Sequence, residues 1–456
     1  MLAAYLGATC VSPGDRVDAM VSTDASHVNA RVVRLIHGDP NPEGPGVVEE
    51  DTLWPGIGVQ TGGQQPLLTG SWLELPLNPN GLQSPTLALW VYWTGVSPDE
   101  QTLASLSHQG TEVLRLAIRS DSHIEATVGE SGATAVLRTP TPIHRRRWYF
   151  VGISADAPTG QLGVSCAERG TSVFSVERTQ AGWNGIPRDS DTLLLGASLE
   201  NESVHNSFSG KIGGIRIFEG LLDDIDLSDL KQGAEPEGGR CEGAWDLARL
   251  TTGTRAVDIS GHGRHGQIHN GAARAVTGPE WQGTDTTIGS APRLYDAVHL
   301  HDDDLADAKW LPTFTLSVPA DARSGIYAVR LSTEEEEVAL SMVVGPSPQS
   351  SSPVLFVVPT LTWLAYANFD SGDIHHIGLS LYDSHSDGSG VCYSSRLRPI
   401  LTMRPKYRSW VGGVGSTLWQ FNADTHIIDW LEAMGYDYDV VTDEDLHYEG
   451  VSAIDK

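Results

Sequence analysis

The chain has 456 residues, of which 40% are hydrophobic; this is ordinary for a soluble protein with several buried cores, and the length predicts about three domains. It carries 30 basic and 58 acidic residues, a net charge of −28 that repels nucleic acid and anionic membranes and so excludes both as partners. The cysteines are scattered and no apolar run approaches the roughly 18 residues of a membrane span, so we expect a cytoplasmic protein.

Residues 1–78 have the pattern of short β-strands. Val17, Ala19 and Val21 alternate with polar neighbours, and a second apolar run follows at residues 31–36. The segment 37–46 is dense in Gly, Pro, Asn and Asp and must be a loop. We therefore predict that residues 1–78 form part of an N-terminal β-sandwich.

Residues 79–280 contain many short apolar runs, such as LALWVYW, VLRLAIR and WYFVGIS, separated by turn residues. This spacing is typical of a two-sheet β-sandwich. Residues 208–218, followed by the acidic, helix-like LDDIDLSDL, resemble the closing strand of a laminin-G or concanavalin-like module. Residues 257–270 resemble the Asp-x-Ser-Gly signature of such modules. We predict a module of this kind over residues 79–280.

Residues 281–345 return to a strand-like pattern, which we expect to complete the N-terminal sandwich region. Residues 346–353 are rich in Pro and Ser and predict a linker. After this linker, Val354–Val358 is a uniformly apolar run between two prolines, as expected for a strand that is buried on both faces of a parallel sheet.

Residues 354–456 have the character of an α/β domain. Residues 423–434 have a helical period, with Ile427, Ile428, Leu431 and Met434 on one side. Gly435 then favours the end of the helix. A second strand follows at residues 438–441, and strand, helix, strand is the order of a parallel sheet. Two strands cannot bury a core, so we expect this α/β domain to be incomplete. The chain is thus predicted to be multidomain and mostly β, with a partial α/β C-terminal domain.

A segment rich in ligand-type side chains follows the first of these strands. Ligands bind beyond the carboxyl ends of the strands in open α/β sheets. In this position, residues 359–390 contain ten side chains that could bind a ligand or metal: Tyr366, Asn368, Asp370, Asp373, His375, His376, Tyr382, Asp383, His385 and Asp387. The combination His375, His376, Asp383 and His385 suits a zinc or iron site. A polar, Gly-rich loop with solvated histidines explains the same composition, and the residues alone favour that loop.

A second cluster lies in HLHDDDL, residues 299–305. Its histidines and aspartates fit calcium or zinc, but a turn capped by hydrogen-bonded carboxylates is the favoured interpretation. Elsewhere the sequence contains no Gly-x-Ser-x-Gly elbow and no phosphate loop, and its Gly-x-Gly-x-x-Gly run at residues 261–266 lies in a β-rich module and not between a strand and a helix, as a Rossmann motif requires. These absences argue against the corresponding hydrolases and nucleotide-binding proteins.

The chain resembles the large (beta) subunit of N,N-dimethylformamidase in its laminin-G-like middle, in the VDISGHGRHG stretch and in five further segments: residues 32–50, 295–310, 360–368, 378–408 and 423–446. They include TLTWLAYAN and ADTHIIDWLEAMGYDYDVVTDEDL and follow the same order along nearly the whole chain. The resemblance implies a glutamine-amidotransferase-like fold for the α/β domain and a mononuclear Fe3+ centre held by two tyrosines and one glutamate. Matched motif to motif, the tyrosines are Tyr366 and Tyr382, and the glutamate lies beyond Lys456.

The resemblance further implies a hydrolase that cleaves the C–N bond of N,N-dimethylformamide, or a related small amide, into formate and amine with an iron-activated water. Phenolate and carboxylate oxygens suit a hard ferric ion. Asp383 and His385 closely follow one ligand and are candidates for proton transfer or for orienting it, and Asn368 is a candidate for substrate binding. The family also implies a small helical subunit in a hetero-oligomer. Because the glutamate is missing, we expect this chain alone to be inactive.

Two alternatives stay open. Taken by themselves, Tyr366 and Tyr382 are more simply explained as packed aromatics with one hydrogen bond each, and only the resemblance favours iron ligands. The chain is alternatively a glycan- or protein-binding protein built on the laminin-G-like module, with a non-catalytic C-terminal domain. Iron content and hydrolysis of dimethylformamide distinguish the enzyme from the binding protein.

Overall fold

The computed structural model describes residues 1–456 apart from 56, 98, 130–134, 173, 181, 191, 201–202, 370–377, 408–419 and 455–456. The chain forms two compact units. The first unit contains Met1–Leu67, Leu305–Ser384 and Gly390–Lys456, and the second contains Leu68–Asp304 and His385–Ser389. Within the described part of the chain, no helix has the length and apolar character needed to cross a bilayer.

A two-sheet β-sandwich makes up the N-terminal part of the first unit. One sheet is antiparallel and contains the strands Leu2–Leu6, Arg16–Thr23 and Phe314–Ser317. The other contains the strands Cys10–Val11, His27–His37, Val48–Asp51, Gly58–Thr61, Gly325–Ser332 and Glu337–Val344. As their alternation predicts, Val17, Ala19 and Val21 are buried in the core that the two sheets share.

Strand pairing in this sandwich joins segments that are far apart in the sequence. The strands Phe314–Ser317 and Gly325–Ser332 pair with N-terminal strands, so the later part of residues 281–345 completes the sandwich as expected. The earlier part differs from our expectation, because Ala297–Leu300 is buried throughout and pairs with Gly210–Glu219. The second unit therefore continues beyond the predicted end at residue 280, and it also begins before the predicted start at residue 79, because Trp72–Leu75 pairs within it.

An α/β segment forms the C-terminal part of the first unit. Val354–Val358 pairs in parallel with Tyr438–Thr442, and both strands lie where the sequence predicted them. The helical elements of this segment are Thr360–Ala365, Phe421–Ala433, Asp443–Glu449 and the 3-10 turn Gly450–Ala453. Tyr438–Thr442 is buried throughout. Val354–Val358 is mostly half-buried, contrary to expectation, because the described residues supply it with one neighbouring strand.

The helix predicted from residue 423 is present and begins at Phe421. Its buried face consists of Phe421, Asn422, Thr425, Ile428 and Leu431. Ile427 and Met434, which we placed on that face, are 42% and 60% exposed. The buried face is rotated because the helix packs on the sandwich strand His27–His37 as well as on the parallel strands. Gly435, with a φ of 72°, follows the helix as predicted.

A buried ion-pair network lies where this helix meets the sandwich. The Arg34 guanidinium contacts the Glu432 carboxylate at 2.6 Å, the Glu50 carboxylate at 3.1 Å and the Tyr438 hydroxyl at 2.8 Å. The Tyr438 hydroxyl in turn donates to Glu432 at 2.7 Å. Burial and this hydrogen bond raise the pKa of Tyr438, so its hydroxyl stays a neutral donor. These contacts attach the α/β segment to the sandwich.

The second unit is an antiparallel β-sandwich. Among the described residues, sixteen strands share one hydrogen-bonded ladder: Trp72–Leu75, Pro85–Trp93, Gln101–His108, Thr111–Ile118, Ile124–Val128, Ala135–Arg138, Trp148–Asp156, Gln161–Glu168, Ser175–Gln180, Leu193–Leu195, Gly210–Glu219, Arg240–Asp246, Arg255–Asp258, Gly266–His269, Ala273–Val276 and Ala297–Leu300. A separate hairpin joins Ser198–Glu200 to Ser203–His205. Leu89 and Leu116 lie on strands far apart in the ladder yet share one core, so the ladder folds into two facing layers. The predicted two-sheet sandwich is confirmed.

The helical elements of the second unit are Asp224–Lys231 and the 3-10 turn Pro292–Tyr295. The first is the acidic helix that the sequence predicted, and Asp223 caps its N-terminus. In the Asp-x-Ser-Gly segment, the Asp258 carboxylate accepts hydrogen bonds from the main-chain N–H groups of Ser260 and Arg264, each at 2.8 Å. These bonds hold the turn that separates two strands of the ladder.

Candidate functional site

The rings of Tyr366 and Tyr382 are stacked in the first unit, with centroids 4.9 Å apart and planes inclined by 10°. Phe369 packs edge-on against both rings, at 6.3 Å and 5.0 Å between centroids. The two hydroxyls share a hydrogen bond, which raises the pKa of Tyr382 above that of an ordinary tyrosine. Tyr382 is 57% exposed, so the pair opens to solvent. The fold thus brings together the two tyrosines that the sequence motifs singled out.

Tyr366 lies at the end of the helix Thr360–Ala365, which directly follows the parallel strand. The Asp443 carboxylate holds the start of this helix, where it accepts hydrogen bonds from a side-chain hydroxyl at 2.7 Å and a main-chain N–H at 3.0 Å. Trp363 donates its indole N–H to Asp424 at 2.6 Å. Both carboxylates belong to other helices, so tertiary contacts fix the direction of a helix that is too short to be stable alone.

Asn368, which we predicted to bind substrate, is buried and uses its side-chain amide within the protein. Its oxygen accepts the Leu401 N–H at 2.8 Å, and its nitrogen donates to the carbonyls of Pro399 at 3.1 Å and Gly378 at 3.4 Å. Its φ of 59° is a left-handed conformation that asparagine tolerates better than most residues. These contacts support a role in holding the turn after Tyr366, and contact with substrate stays a prediction.

A small hydrogen-bonded turn fixes the backbone of Tyr382. The Asp383 carboxylate accepts the Ser380 N–H at 2.8 Å, and the buried Ser380 hydroxyl accepts the Tyr382 N–H at 3.2 Å. The Asp383 side chain therefore positions the tyrosine, and its role in proton transfer stays a prediction. Burial lowers the pKa of the nearby Arg398 to about 10, and the Arg398 Nη2 has no hydrogen-bond partner among the described residues.

The donor chemistry of the tyrosine pair fits a ferric ion. Hard anionic oxygens are the donors that Fe3+ prefers. Two phenol oxygens that share a hydrogen bond provide such donors once their protons leave, as metal binding requires. The sequence analysis grouped further residues with this pair. Four of them lie outside the described residues: Asp370, Asp373, His375 and His376.

His385 lies in the second unit. Its buried imidazole stacks on His301, with centroids 3.6 Å apart, and bonds through Nδ1 to Asp303 at 2.6 Å. HLHDDDL forms the capped turn that the sequence favoured, because Asp304 Oδ2 accepts the His301 N–H at 3.2 Å. Sequence reasoning missed that His385 meets this turn. The sequence feature that could have indicated this contact is that both segments are rich in closely spaced His and Asp.

An open cleft of about 790 Å³ lies elsewhere in the second unit. Aromatic and charged side chains line it, among them Trp90, Arg169, Arg216 and Asp296. Burial raises the pKa of the Asp296 carboxyl to about 7, although one of its oxygens accepts the Leu247 N–H at 2.7 Å. The cleft therefore contains a carboxyl group that changes its charge near neutral pH.

Replacing Asp296 by asparagine is expected to remove a pH dependence of stability. The carboxyl ionises at about 7 in the folded protein and near its ordinary value of 3.8 in the unfolded chain. Between these values the unfolded state binds fewer protons, so the Asp296 contribution to stability falls as pH rises through this window. The free energy of unfolding of Asp296→Asn minus that of wild type is expected to grow by roughly 2 kcal/mol between about pH 5 and about pH 8. Urea unfolding at each pH measures this difference.

Asparagine keeps a side-chain oxygen for the Leu247 N–H, so the comparison isolates the charge. The matched control is Glu235→Gln, which removes the same formal charge from an exposed position on the cleft. If the stabilities of Asp296→Asn and wild type change in parallel with pH, the buried carboxyl is not protonated in the folded protein.

Comparison with known proteins matches each unit to a family. The model described as N,N-dimethylformamidase beta subunit-like, C-terminal, matches residues 273–456. The model of the concanavalin A-like lectin/glucanases superfamily matches residues 68–227, as the predicted laminin-G-like module requires. Among solved structures, the CBM40 module of a Ruminococcus gnavus sialidase is 16% identical over 33% of this chain and 84% of that chain, with a TM-score of 0.28. A pentraxin from Limulus polyphemus is 11% identical over 46% and 84%, with a TM-score of 0.29.

Two curated relatives match almost the whole chain. The N,N-dimethylformamidase beta subunits of Alcaligenes sp and of Paracoccus aminophilus are each 30% identical to it, over 99% of this chain and 66% of their own length. The chain thus spans 66% of the length of these relatives. The match to the C-terminal family model covers the positions of both stacked tyrosines and the α/β segment. The chain belongs to the N,N-dimethylformamidase beta subunit-like family.

Proposed function

We propose that the protein hydrolyses the C–N bond of N,N-dimethylformamide, or of a related small amide, to formate and an amine, with a mononuclear Fe3+ ion at Tyr366 and Tyr382. The stacked tyrosine pair carries this proposal, because its two phenol rings lie with centroids 4.9 Å apart and nearly parallel planes in the segment that matches the family. The names of the relatives as dimethylformamidase subunits support an amide as the substrate.

Tyr366 and Tyr382 would hold a ferric ion through their phenol oxygens, and that ion would supply a Lewis acid able to polarise an amide carbonyl and lower the pKa of water. The residues of the chain prepare this position. Tyr366 and Tyr382 present their oxygens from two different segments, and Phe369 packs against both rings and fixes their spacing. The exposure of Tyr382 leaves a side of the pair open for a small amide to enter.

Two neighbouring residues support the pair through the main chain. We assign a positioning role to Asp383, which orders the turn before Tyr382, and to Asn368, which orders the turn after Tyr366. The buried Arg398 offers an N–H donor near Asp383, and a guanidinium N–H is suited to orient a carbonyl or carboxylate oxygen. Proton transfer by His385 stays a prediction.

We also propose that the protein assembles with a second subunit, since the relatives are named beta subunits. That this subunit is small and helical stays a prediction from the family resemblance. The helix Phe421–Ala433 supports this proposal, because Ile427, Trp430 and Met434 form an exposed apolar stripe along it, at 42%, 54% and 60% exposure. Apolar surface of this kind is typical of a face that another protein covers.

Release of formate from N,N-dimethylformamide tests the proposed function. The protein is purified as its full-length gene product together with any subunit that accompanies it, because the family resemblance predicts that the chain of 456 residues alone is inactive. Its iron content and visible absorption are recorded. We expect bound iron, a tyrosinate-to-iron charge-transfer band and formate release that a chelator abolishes and added iron restores. An iron-loaded protein that releases no formate from dimethylformamide or other small formamides contradicts the proposal.

The alternative function is glycan or protein binding by the concanavalin-like unit. The open cleft and the superfamily match support it. It requires neither iron nor turnover. The formate assay therefore separates the two functions, because a pure binding protein gives no chelator-sensitive release of formate.

A further inference from the structure

A cluster of buried histidines and carboxylates lies in the second unit and includes none of the residues of the tyrosine pair. It joins two segments, residues 299–304 and 385–389. His301 stacks on His385, with ring planes inclined by only 4°, and lies 4.1 Å from His299 between centroids. Burial of so many ionisable groups is costly unless they are paired or bind an ion.

Three side chains of this cluster converge. His301 Nδ1 lies 3.1 Å from one oxygen of Asp304, and His385 Nε2 lies 3.8 Å from the other. Ligand atoms of all three residues lie within 4.8 Å of one another, and the residues are 1%, 7% and 6% exposed for His301, Asp304 and His385. A zinc ion, with ligand bonds of about 2.0 to 2.2 Å, fits between atoms at these separations once one of the two stacked imidazoles turns, so that both in-plane lone pairs point at the ion.

The far nitrogen of each histidine is already held. His385 Nδ1 bonds the Asp303 carboxylate at 2.6 Å, and His301 Nε2 bonds the Ser389 hydroxyl at 2.9 Å. Metal-binding histidines typically have their second nitrogen held in this way, which fixes the tautomer and aims the other nitrogen at the ion. These bonds leave His301 Nδ1 and His385 Nε2 as the nitrogens that face the Asp304 carboxylate.

The local charge also favours a cation. Among the described residues, the ion pairs of Asp303 and Asp304 are formed with His301 and His385, and none is formed with lysine or arginine. Metal binding requires both imidazoles to be neutral, and the two carboxylates are then left without a compensating positive charge. A divalent ion neutralises them and removes the cost of burying unpaired charge.

We propose that His301, Asp304 and His385 bind one divalent transition-metal ion, such as zinc, that links the segment His385–Ser389 to the turn at residues 299–304. Two imidazole nitrogens and one carboxylate suit zinc and its neighbours in the first transition row, whereas calcium and magnesium prefer oxygen ligands. The site uses none of the ligands of the proposed iron centre.

An overlapping set shares His301. His299 Nε2 lies 3.2 Å from the Asp387 carboxylate, and His299, His301 and Asp387 also have ligand atoms within 4.8 Å of one another. We favour the set with Asp304 and His385, because Asp303 orients His385 and adds a second carboxylate to the charge that the ion neutralises. The overlapping set is one outcome of the test.

Zinc uptake by the full chain tests this proposal. The double variant Tyr366→Phe/Tyr382→Phe serves as the background, because it removes the proposed iron ligands and leaves the cluster unchanged. After equilibration with zinc and removal of the excess, we expect about one zinc per chain, and cobalt(II) in its place should give d–d absorption bands. Adding Asp304→Asn or His385→Gln should abolish both signals.

The matched control is His269→Gln, since His269 is also paired with a carboxylate in the second unit, with Nε2 3.0 Å from Glu74. Loss of zinc in both cluster variants but not in this control, with unchanged circular dichroism, supports the site. A background chain that takes up neither zinc nor cobalt overturns the proposal, whether or not the variants fold. Zinc retained in Asp304→Asn and lost in His299→Gln overturns it in favour of the overlapping set.

Discussion

Replacing Tyr382 by phenylalanine is expected to abolish iron binding and to lower formate release from dimethylformamide by at least about 100-fold. Phenylalanine retains the ring that stacks on Tyr366 and packs against Phe369, so the change removes one oxygen donor and little else. A ferric site built on phenolate oxygens loses charge compensation and affinity when one of them is removed. The measurements are iron content, formate release and the visible tyrosinate-to-iron absorption.

Tyr366→Phe is expected to have the same effect, because the proposed site needs both oxygens. The matched control is Tyr393→Phe, which removes a hydroxyl from another exposed tyrosine of the first unit. Iron and activity that survive in Tyr382→Phe contradict the assignment of the ligands. A variant that loses its iron and keeps its activity contradicts instead the dependence of hydrolysis on that iron.

Replacing Arg34 by methionine is expected to destabilise the α/β segment of the first unit by about 3 kcal/mol. The Arg34 side chain is 4% exposed and contacts Glu432, Glu50 and the Tyr438 hydroxyl. Methionine keeps much of the packing volume but leaves the Glu432 carboxylate with fewer partners in a site that is partly closed to water. The Glu432 carboxylate is 23% exposed and keeps the Arg323 guanidinium at 3.2 Å, so the expected cost comes mainly from the charge-assisted hydrogen bonds of Arg34 that are lost.

Hydrogen exchange of the strand Tyr438–Thr442 measures this effect, because it reports the opening of that segment separately from the rest of a two-unit protein. The matched control is Arg31→Met on the same sandwich strand. Arg31 pairs with Asp51 at 2.9 Å, but the two side chains are 51% and 86% exposed, so we expect a change below about 0.5 kcal/mol. Equal exchange rates in the two variants contradict a structural role for the Arg34 network.

Local patterns determined much of the fold. The alternation of Val17, Ala19 and Val21 predicted their burial, and the apolar run Val354–Val358 predicted a strand with the bounds observed. These features follow from side-chain periodicity and turn residues, which act over a few positions. The site was predictable only as two motif positions, because nothing local to Tyr366 or Tyr382 indicates that their rings stack.

Only the tertiary structure decided which partner each segment finds. The helix Phe421–Ala433 buries a different face from the predicted one because it also packs on the sandwich, and Ala297–Leu300 joins the second unit because it pairs there. His385 was grouped by sequence with its neighbours in the chain, yet its imidazole meets His301 and Asp303. Periodicity specifies how a segment is built, but burial and hydrogen bonding stabilise it only against a surface that a distant segment provides.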